Sequence, residues 1–238
     1  MSRALAGLAI EVDGMAAGLR AIPVRTPLVR PGDDLIATIA RAVDGIARPG
    51  DAIAVSETVV AIAQGEFVIA EHVRPSRLAF LLCRYAGPLA TISQPESMQL
   101  VIERAGYGKT IYATLCGVAG RAIGRRGVFY EMMGEAIAAF DGYTGTMPPY
   151  ERAIVLSPRA PGEFAEALRS RLGIEAAVVD ANDLERAKVL GCSGGVRAEE
   201  IERALLRNPH GNSDEQTPLV VLKWRGAGRN PLLREDAP

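Results

Sequence analysis

Two aspartates end apolar segments that have the composition of buried strands. Asp141 closes Ala-Ile-Ala-Ala-Phe, and Asp180 closes Ala-Ala-Val-Val. Carboxylates at strand ends lie at the rim of a sheet, where loops build ligand sites. Hard divalent cations such as Mg²⁺ take one or two carboxylates together with substrate phosphates. The pair therefore predicts a cation site, to which Asp183, Asp214 and Glu215 could add oxygens, although a single strand-end aspartate also commonly caps a turn.

A basic cluster precedes Asp141 in the sequence. It consists of Arg121, Arg125 and Arg126, and glycines are interleaved with the arginines. Arginine forks bind phosphate and carboxylate through two hydrogen bonds, and glycine lets a ligand approach the backbone. The cluster is consistent with an anchor for a polyanionic substrate or nucleotide, and equally with a solvated surface.

His210 is the more promising of the two histidines, because it lies in a loop dense in polar side chains, residues 208–218. We expect His72 to be a surface residue or a residue with satisfied structural partners. Glycines in the segment 191–195 could form an anion-binding turn, although a single glycine-rich turn is weak evidence. No GxxxxGK[ST] phosphate loop and no Gly-x-Ser-x-Gly elbow occur, so neither a P-loop enzyme nor a serine hydrolase is indicated.

Composition limits the classes of function further. The net charge of −1 argues against a general nucleic-acid binder, and three scattered cysteines argue against a structural zinc site. The first residues are too acidic for a signal peptide, and no apolar run reaches membrane-spanning length. We therefore expect a cytoplasmic protein with no nucleic-acid or membrane partner.

Turn residues and apolar spacing predict an α+β fold. The spacing over residues 110–120 does not separate helix from strand. Strands are predicted at 19–25, 52–55, 66–71, 136–140, 153–156, 176–179 and 219–223, and helices at 35–46, 75–85, 95–104, 162–172 and 199–206.

The order of several segments resembles the coenzyme F420-0:gamma-glutamyl ligase family. The matching segments are Gly32-Asp-Asp-Leu35, the strand and turn over 50–65, the two helix starts at 75–79 and 94–103, and the strand ends at Asp141 and Asp180. The resemblance runs from about residue 20 to residue 222.

This resemblance implies an α+β fold of mixed sheets with flanking helices, two interlocked subdomains and an intertwined homodimer. The family unit would cover residues 1–225, with subdomains of about 20–140 and 141–225, followed by a flexible tail at 226–238.

The resemblance also implies an activity. GTP would activate a carboxylate of an acidic small molecule as an acyl phosphate, and the amino group of glutamate would attack it with Mg²⁺ or Mn²⁺ present. Asp141 and Asp180 would be catalytic metal ligands, and Asp183 is a further candidate ligand from its carboxylate alone. Nucleotide or substrate would lie near Gly32, Asp33, Ser56, Gln64 and Gly65. The arginine cluster has no counterpart in the family pattern, and it and His210 are candidate binding residues from their side-chain chemistry alone.

Some positions depart from the family pattern. Gln64-Gly65-Glu66 stands where the family has Glu-Gly-Arg, so a cation is absent from that turn. This difference favours an alternative hypothesis, a binding or regulatory relative that keeps the fold and has lost the ligase chemistry. A different enzyme that uses the same cleft for a phosphorylated metabolite is a third hypothesis.

Overall fold

The computed structural model describes residues 10–11, 18–86, 91–134, 148–182, 186–211, 216–226 and 230–234. The chain folds into two compact units. Unit 1 is built from the described residues of 1–65 and 158–238, and unit 2 from those of 66–157. The predicted division near residue 141 falls outside the described residues, so the subdomain limits stay a prediction.

Unit 1 is built on a six-stranded mixed sheet. Its strands are β1 (Ile10–Glu11), β2 (Leu19–Val24), β3 (Ala52–Ser56), β6 (Glu175–Asn182), β7 (Arg186–Cys192) and β8 (Leu219–Trp224). The order across the sheet is β1-β2-β8-β3-β6-β7. The β3 and β6 strands run parallel, whereas β8 runs antiparallel to β3. The carboxyl ends of β3 and β6 therefore meet the beginning of β8 at one edge of the sheet.

Helices cover both faces of this sheet. Because strand residues alternate between faces, Val55, Val178 and Leu219 share one face, here called face A. Face A is covered by α1 (Leu35–Val43), α2 (Glu57–Gln64) and α7 (Pro161–Leu172). The opposite face is covered by α8 (Ala198–Leu205), with Ile201 and Leu205 fully buried. Burial on both faces explains why β3 is a continuous apolar run.

Unit 2 is mainly helical. Its helices are α3 (Arg77–Leu82), α4 (Pro95–Ala105), α5 (Tyr107–Ala122) and α6 (Val128–Met133), and its two antiparallel strands are β4 (Phe67–Ile69) and β5 (Ala153–Val155). The core of this unit gathers Met98, Val101, Ile102, Ala113 and Ile154. The segment 110–120, which the sequence left open, is therefore helical.

Three local predictions were too long. The helix expected at 35–46 stops at Val43. The strand expected at 66–71 stops at Ile69 and continues as a 3₁₀ turn, and the helix expected at 75–85 stops at Leu82 before a second 3₁₀ turn. The strand predicted at 136–140 lies outside the described residues. No helix among the described residues is long and apolar enough to cross a membrane.

Candidate functional site

A polar row crosses face A at the edge where β3 and β6 end. The last apolar level of this face consists of Val24, Leu219, Val55 and Val178, which are neighbours across β2, β8, β3 and β6. The residues two positions closer to this edge in each segment have polar side chains. On β8, which runs the other way, this residue precedes the strand. We call these residues the polar row: Thr26, Thr217, Glu57 and Asp180, with Lys188 opposite Asp180 on β7.

Backbone hydrogen bonds keep the segments aligned beyond the strands themselves. The Ser56 N–H donates to the Pro218 carbonyl at 2.8 Å, and the Thr26 N–H donates to the Gln216 carbonyl at 3.3 Å. The Ser56 bond continues the register of β3 and β8, whereas the Thr26 bond lies one residue out of the β2–β8 register. Ser56 lies next to the row and precedes the first residue of α2.

Asp180 is half-buried near the end of β6. Burial raises the pKa of its carboxyl group above the ordinary value, and the positive charge of Lys188 opposes that shift. The charged carboxylate is thus poorly solvated. A cation placed beside it would offset this loss of hydration.

Glu57 is a second carboxylate of the polar row that the sequence analysis did not single out. It is the first residue of α2 and is 6% exposed. The amino end of a helix stabilises a nearby negative charge, since its N–H groups point outward from the first turn. The sequence offered one signal for Glu57, an acidic residue directly after a buried strand. Which residues lie beside Glu57 depends on strand pairing, which the local sequence does not show.

His210 is buried and tied to Thr217 of the polar row. Its Nδ1 lies 3.2 Å from the Thr217 carbonyl oxygen, and the Thr217 hydroxyl donates to the His210 carbonyl. Because a carbonyl only accepts hydrogen bonds, Nδ1 must carry the proton. Burial lowers the pKa of His210 to about 4, so the ring is neutral at pH 7. Its Nε2 then has an acceptor lone pair, and no described group donates to it.

The predicted residues at the far end of α2 have local structural partners. The Gly32 N–H donates to the Ala63 carbonyl at 2.9 Å, and Asp33 accepts from the Arg30 N–H at 2.8 Å. The Gln64 amide donates to the Arg159 carbonyl at 3.0 Å, and Gly65 ends α2 with a φ of 74°. These four residues lie away from the polar row, and their role toward a nucleotide stays a prediction.

The three arginines of the basic cluster lie in unit 2 and are exposed. The Arg121 side chain donates to the Tyr85 carbonyl, and Arg125 pairs with Glu131 at 2.7 Å. Both side chains of this pair are exposed to solvent, and an exposed ion pair contributes little to stability. A phosphate-binding role for the cluster, including Arg126, stays a prediction.

The glycine-rich segment 191–195 bonds to the protein's own carboxylates. Gly195 donates to Glu175 at 3.2 Å and Gly194 donates to Glu166 at 3.3 Å. Ser193 is buried and also donates to Glu175. These N–H groups are therefore used within unit 1, which argues against an external anion at this turn.

The remaining predicted metal ligands, Asp141 and Asp183, lie outside the described residues, as do Asp214 and Glu215. Within the described ranges, no three acidic, histidine or cysteine side chains gather around one point. The polar row does contain two carboxylates, and Mg²⁺ often needs only one or two together with substrate phosphates. Its donor chemistry therefore fits a hard cation that arrives with a phosphorylated ligand.

The fold and the polar row define an α+β protein with a mixed sheet and a carboxylate-bearing edge. A family model described as F420-0:Gamma-glutamyl ligase matches residues 23–180. The chain therefore belongs to the F420-0:gamma-glutamyl ligase family, which confirms the resemblance drawn from its sequence.

One curated relative shows how distant the match is. The chain is 28% identical over 155 residues to the coenzyme F420:L-glutamate ligase of Methanopyrus kandleri. The match covers 63% of this chain and 54% of that protein, so the chain spans about half the length of its relative.

Proposed function

We propose that this protein is a nucleotide- and metal-dependent amide ligase that joins glutamate to an acidic acceptor. Family membership supports the ligase class, and the relative from Methanopyrus kandleri has a name that specifies glutamate. The polar row is the observation that carries the proposal, because it brings two carboxylates to the end of the single parallel strand pair of the described sheet. A homodimer and a cytoplasmic location stay predictions of the resemblance.

The proposed reaction has two steps. An oxygen of the acceptor carboxylate attacks the γ-phosphorus of GTP, which breaks the bond to the β,γ-bridging oxygen and releases GDP. The ammonium group of glutamate loses one proton to solvent, and the amino nitrogen then attacks the acyl carbon. Phosphate leaves with the bonding electrons, and the nitrogen loses a second proton to solvent, which leaves the amide. Such a reaction needs positioning and charge stabilisation more than covalent help from the protein.

The residues of the polar row would share this work. Asp180 and Glu57 would hold Mg²⁺ or Mn²⁺. Asp141 is expected by resemblance as a further ligand, and Asp183 is expected from its carboxylate and its position after Asp180. A bound cation would neutralise the nucleotide phosphates. Lys188 would add positive charge beside Asp180, and the neutral Nε2 of His210 would accept a hydrogen bond from a donor group of the ligand.

The test is turnover, measured as GDP released with glutamate, a candidate acidic acceptor and Mn²⁺ all present. We expect Asp180→Asn to lower kcat at least about 100-fold, the scale for losing one charge-stabilising group. Asp44→Asn is the matched control, because Asp44 is an exposed aspartate of the same unit and lies outside the polar row. Full activity of Asp180→Asn would refute this assignment, and nucleotide binding without turnover in the wild-type protein would favour the binding relative.

A further inference from the structure

Strand β7 presents two cations on face A, directly beside Asp180. Lys188 is the partner of Asp180 across β6 and β7, and Arg186 lies two residues before Lys188 on the same strand. Cross-strand partners share a face, and so do residues two apart along a strand, so both side chains belong to face A. Both are exposed, and β7 is the last strand of the sheet order. The polar row therefore ends in a pair of positive charges.

A β-bulge produces this placement. The register of the β6–β7 pair shifts by one residue after Val178. Without the shift, Val189 would lie opposite Asp180, and Lys188 would belong to the opposite face of the sheet. With it, Val189 packs against the core of that opposite face, and Lys188 faces Asp180. Bulges commonly redirect side chains in this way beside active sites.

The strand that carries the two cations is held on both of its faces. The Val189 N–H donates to the Glu202 carboxylate of α8 at 2.9 Å. On the other face, Gly191 lies so close to α7 that a Cβ there would be 2.3 Å from the backbone nitrogen of Gly162. Groups on a fixed strand are positioned more precisely than groups on a loop. Only the long side chains of β7 then have to move toward a ligand.

The charges at this end of the polar row suit a polyphosphate. The positive charge of Lys188 favours the charged form of the Asp180 carboxyl group. Once Asp180 and Glu57 hold a divalent cation, the Lys188 ammonium is repelled from it, because both are positive. Phosphate oxygens beside the cation attract the ammonium instead, and a guanidinium such as that of Arg186 binds phosphate through two parallel hydrogen bonds. Two carboxylates balance the divalent cation, and the two cations of β7 match the remaining phosphate charge.

We propose that Arg186 and Lys188 form the polyphosphate-binding subsite of the polar row, and that Lys188 turns from Asp180 to a phosphate oxygen when the metal–nucleotide complex binds. The inference rests on the proposed function for the location of the site and the presence of a metal ion. It does not depend on amide-bond formation, so its test measures binding rather than turnover.

The experiment is titration calorimetry of the full chain with the preformed Mn²⁺ complexes of inorganic tripolyphosphate and of GTP. We expect the double variant Arg186→Gln/Lys188→Gln to bind each complex at least about tenfold more weakly than the wild-type protein, the scale for losing a hydrogen bond to a charged group. Arg186→Lys/Lys188→Arg should keep most of the affinity, since both positive charges remain.

The single variant Lys188→Gln gives a readout of the opposite sign. Binding of Mn²⁺ alone, followed by electron paramagnetic resonance at pH 8, should become about two- to tenfold tighter, because a like charge beside the cation is removed. A lysine that only supported the strand would weaken the binding of Mn²⁺ and of tripolyphosphate together when replaced. Weaker Mn²⁺ binding by Lys188→Gln would therefore overturn the proposal.

The matched control is Arg197→Gln/Arg203→Gln, which removes two exposed positive charges at α8, on the opposite face of the sheet. It should bind both complexes as the wild-type protein does, and circular dichroism should show that all variants are folded.

Two results would overturn the subsite. One is wild-type affinity in Arg186→Gln/Lys188→Gln, including the case in which that variant merely self-associates, since charges on an edge strand also prevent unwanted pairing. The other is a wild-type protein that binds neither complex. A wild-type protein that binds Mn²⁺–tripolyphosphate through these residues but shows no GTP turnover would refute the ligase function and support the subsite.

Discussion

Asp180 combines partial burial with a neighbouring lysine at the edge of the large sheet. Its raised pKa means that the folded protein holds the neutral carboxyl group more readily than the unfolded chain does. An acid of this kind adds stability as the pH falls through its folded pKa, and lowers stability when it is charged at neutral pH. Holding the charged carboxylate of Asp180 at this half-buried position lowers the stability of the fold. Such a loss of stability is expected at a ligand site rather than at a purely structural position.

This argument predicts that Asp180→Asn unfolds less readily than the wild-type protein at pH 7 with a chelator present. The advantage should shrink as the pH falls, because the wild-type carboxyl group takes up its proton in the folded state first. Urea unfolding over a pH series measures both effects, with Asp44→Asn as the exposed control. A less stable Asp180→Asn at pH 7 would mean that its surroundings favour the charged form.

His210 gives the opposite pH dependence. Its pKa of about 4 lies below the ordinary 6.5, so the unfolded chain takes up a proton at a higher pH than the folded protein does. The stability present above pH 6.5 should therefore fall as the pH drops toward 4, by up to about 3 kcal/mol.

His210→Asn should remove this part of the acid dependence, since an amide does not titrate in this range and can still donate to the Thr217 carbonyl. Urea unfolding at pH 7, 5.5 and 4.5 tests it. His72→Asn is the control, because His72 is the other histidine of the chain and is exposed. The same acid loss in His210→Asn as in the wild-type protein would show that His210 is not its source.

At the scale of elements, the contact between β7 and α7 depends on the absence of one side chain. A Cβ at Gly191 of β7 would lie 2.3 Å from the backbone nitrogen of Gly162 in α7. Neither backbone segment can move without disturbing face A, on which α7 packs through Ala165 and Leu168.

We therefore expect Gly191→Ala to lower the free energy of unfolding by about 1–3 kcal/mol, the usual range for overpacking. Gly194→Ala is the matched control three residues away, since a Cβ there meets nothing within 4 Å. It should change the free energy of unfolding by less than about 1 kcal/mol. Equal effects of the two substitutions in urea unfolding would contradict the packing argument.

The elements that bury one regular apolar face were predictable from sequence. Helix α1, helix α7 and strand β8 lie within a few residues of their predicted positions. Strand β7 was missed because it is half-exposed and mixes charged with apolar residues. Helix α5 was ambiguous because its segment mixes apolar residues with glycine. Several of the apolar side chains are exposed, so their spacing does not report burial in unit 2.

The site was predictable only in part for a related reason. Asp180 could be found because a carboxylate directly follows an apolar run, but the prediction that the strand ends there was wrong, since β6 continues to Asn182 by pairing with β7. Glu57 is brought toward Asp180 by the pairing of β3 with β6, and Thr217 lies one strand further away through the pairing of β3 with β8. Both pairings join residues more than a hundred positions apart. Local sequence does not contain that register.

At the scale of the whole molecule, the two units carry different features. Unit 1 has the polar row with its two carboxylates, and unit 2 has an exposed apolar surface on and beside α5 together with the arginine cluster. Substitutions in unit 1 can therefore change the polar row without altering the exposed apolar surface of unit 2.

The most direct test is the thermal shift caused by GTP with Mn²⁺, compared between the wild-type protein and Asp180→Ala. A ligand that binds only the folded state raises the melting temperature by several degrees at about 100 times its Kd. We expect such a rise for the wild-type protein when the nucleotide and Mn²⁺ are both present, and its loss with a chelator or in Asp180→Ala. An equal metal-dependent rise in Asp180→Ala would contradict the assignment of Asp180 to the cation and nucleotide site.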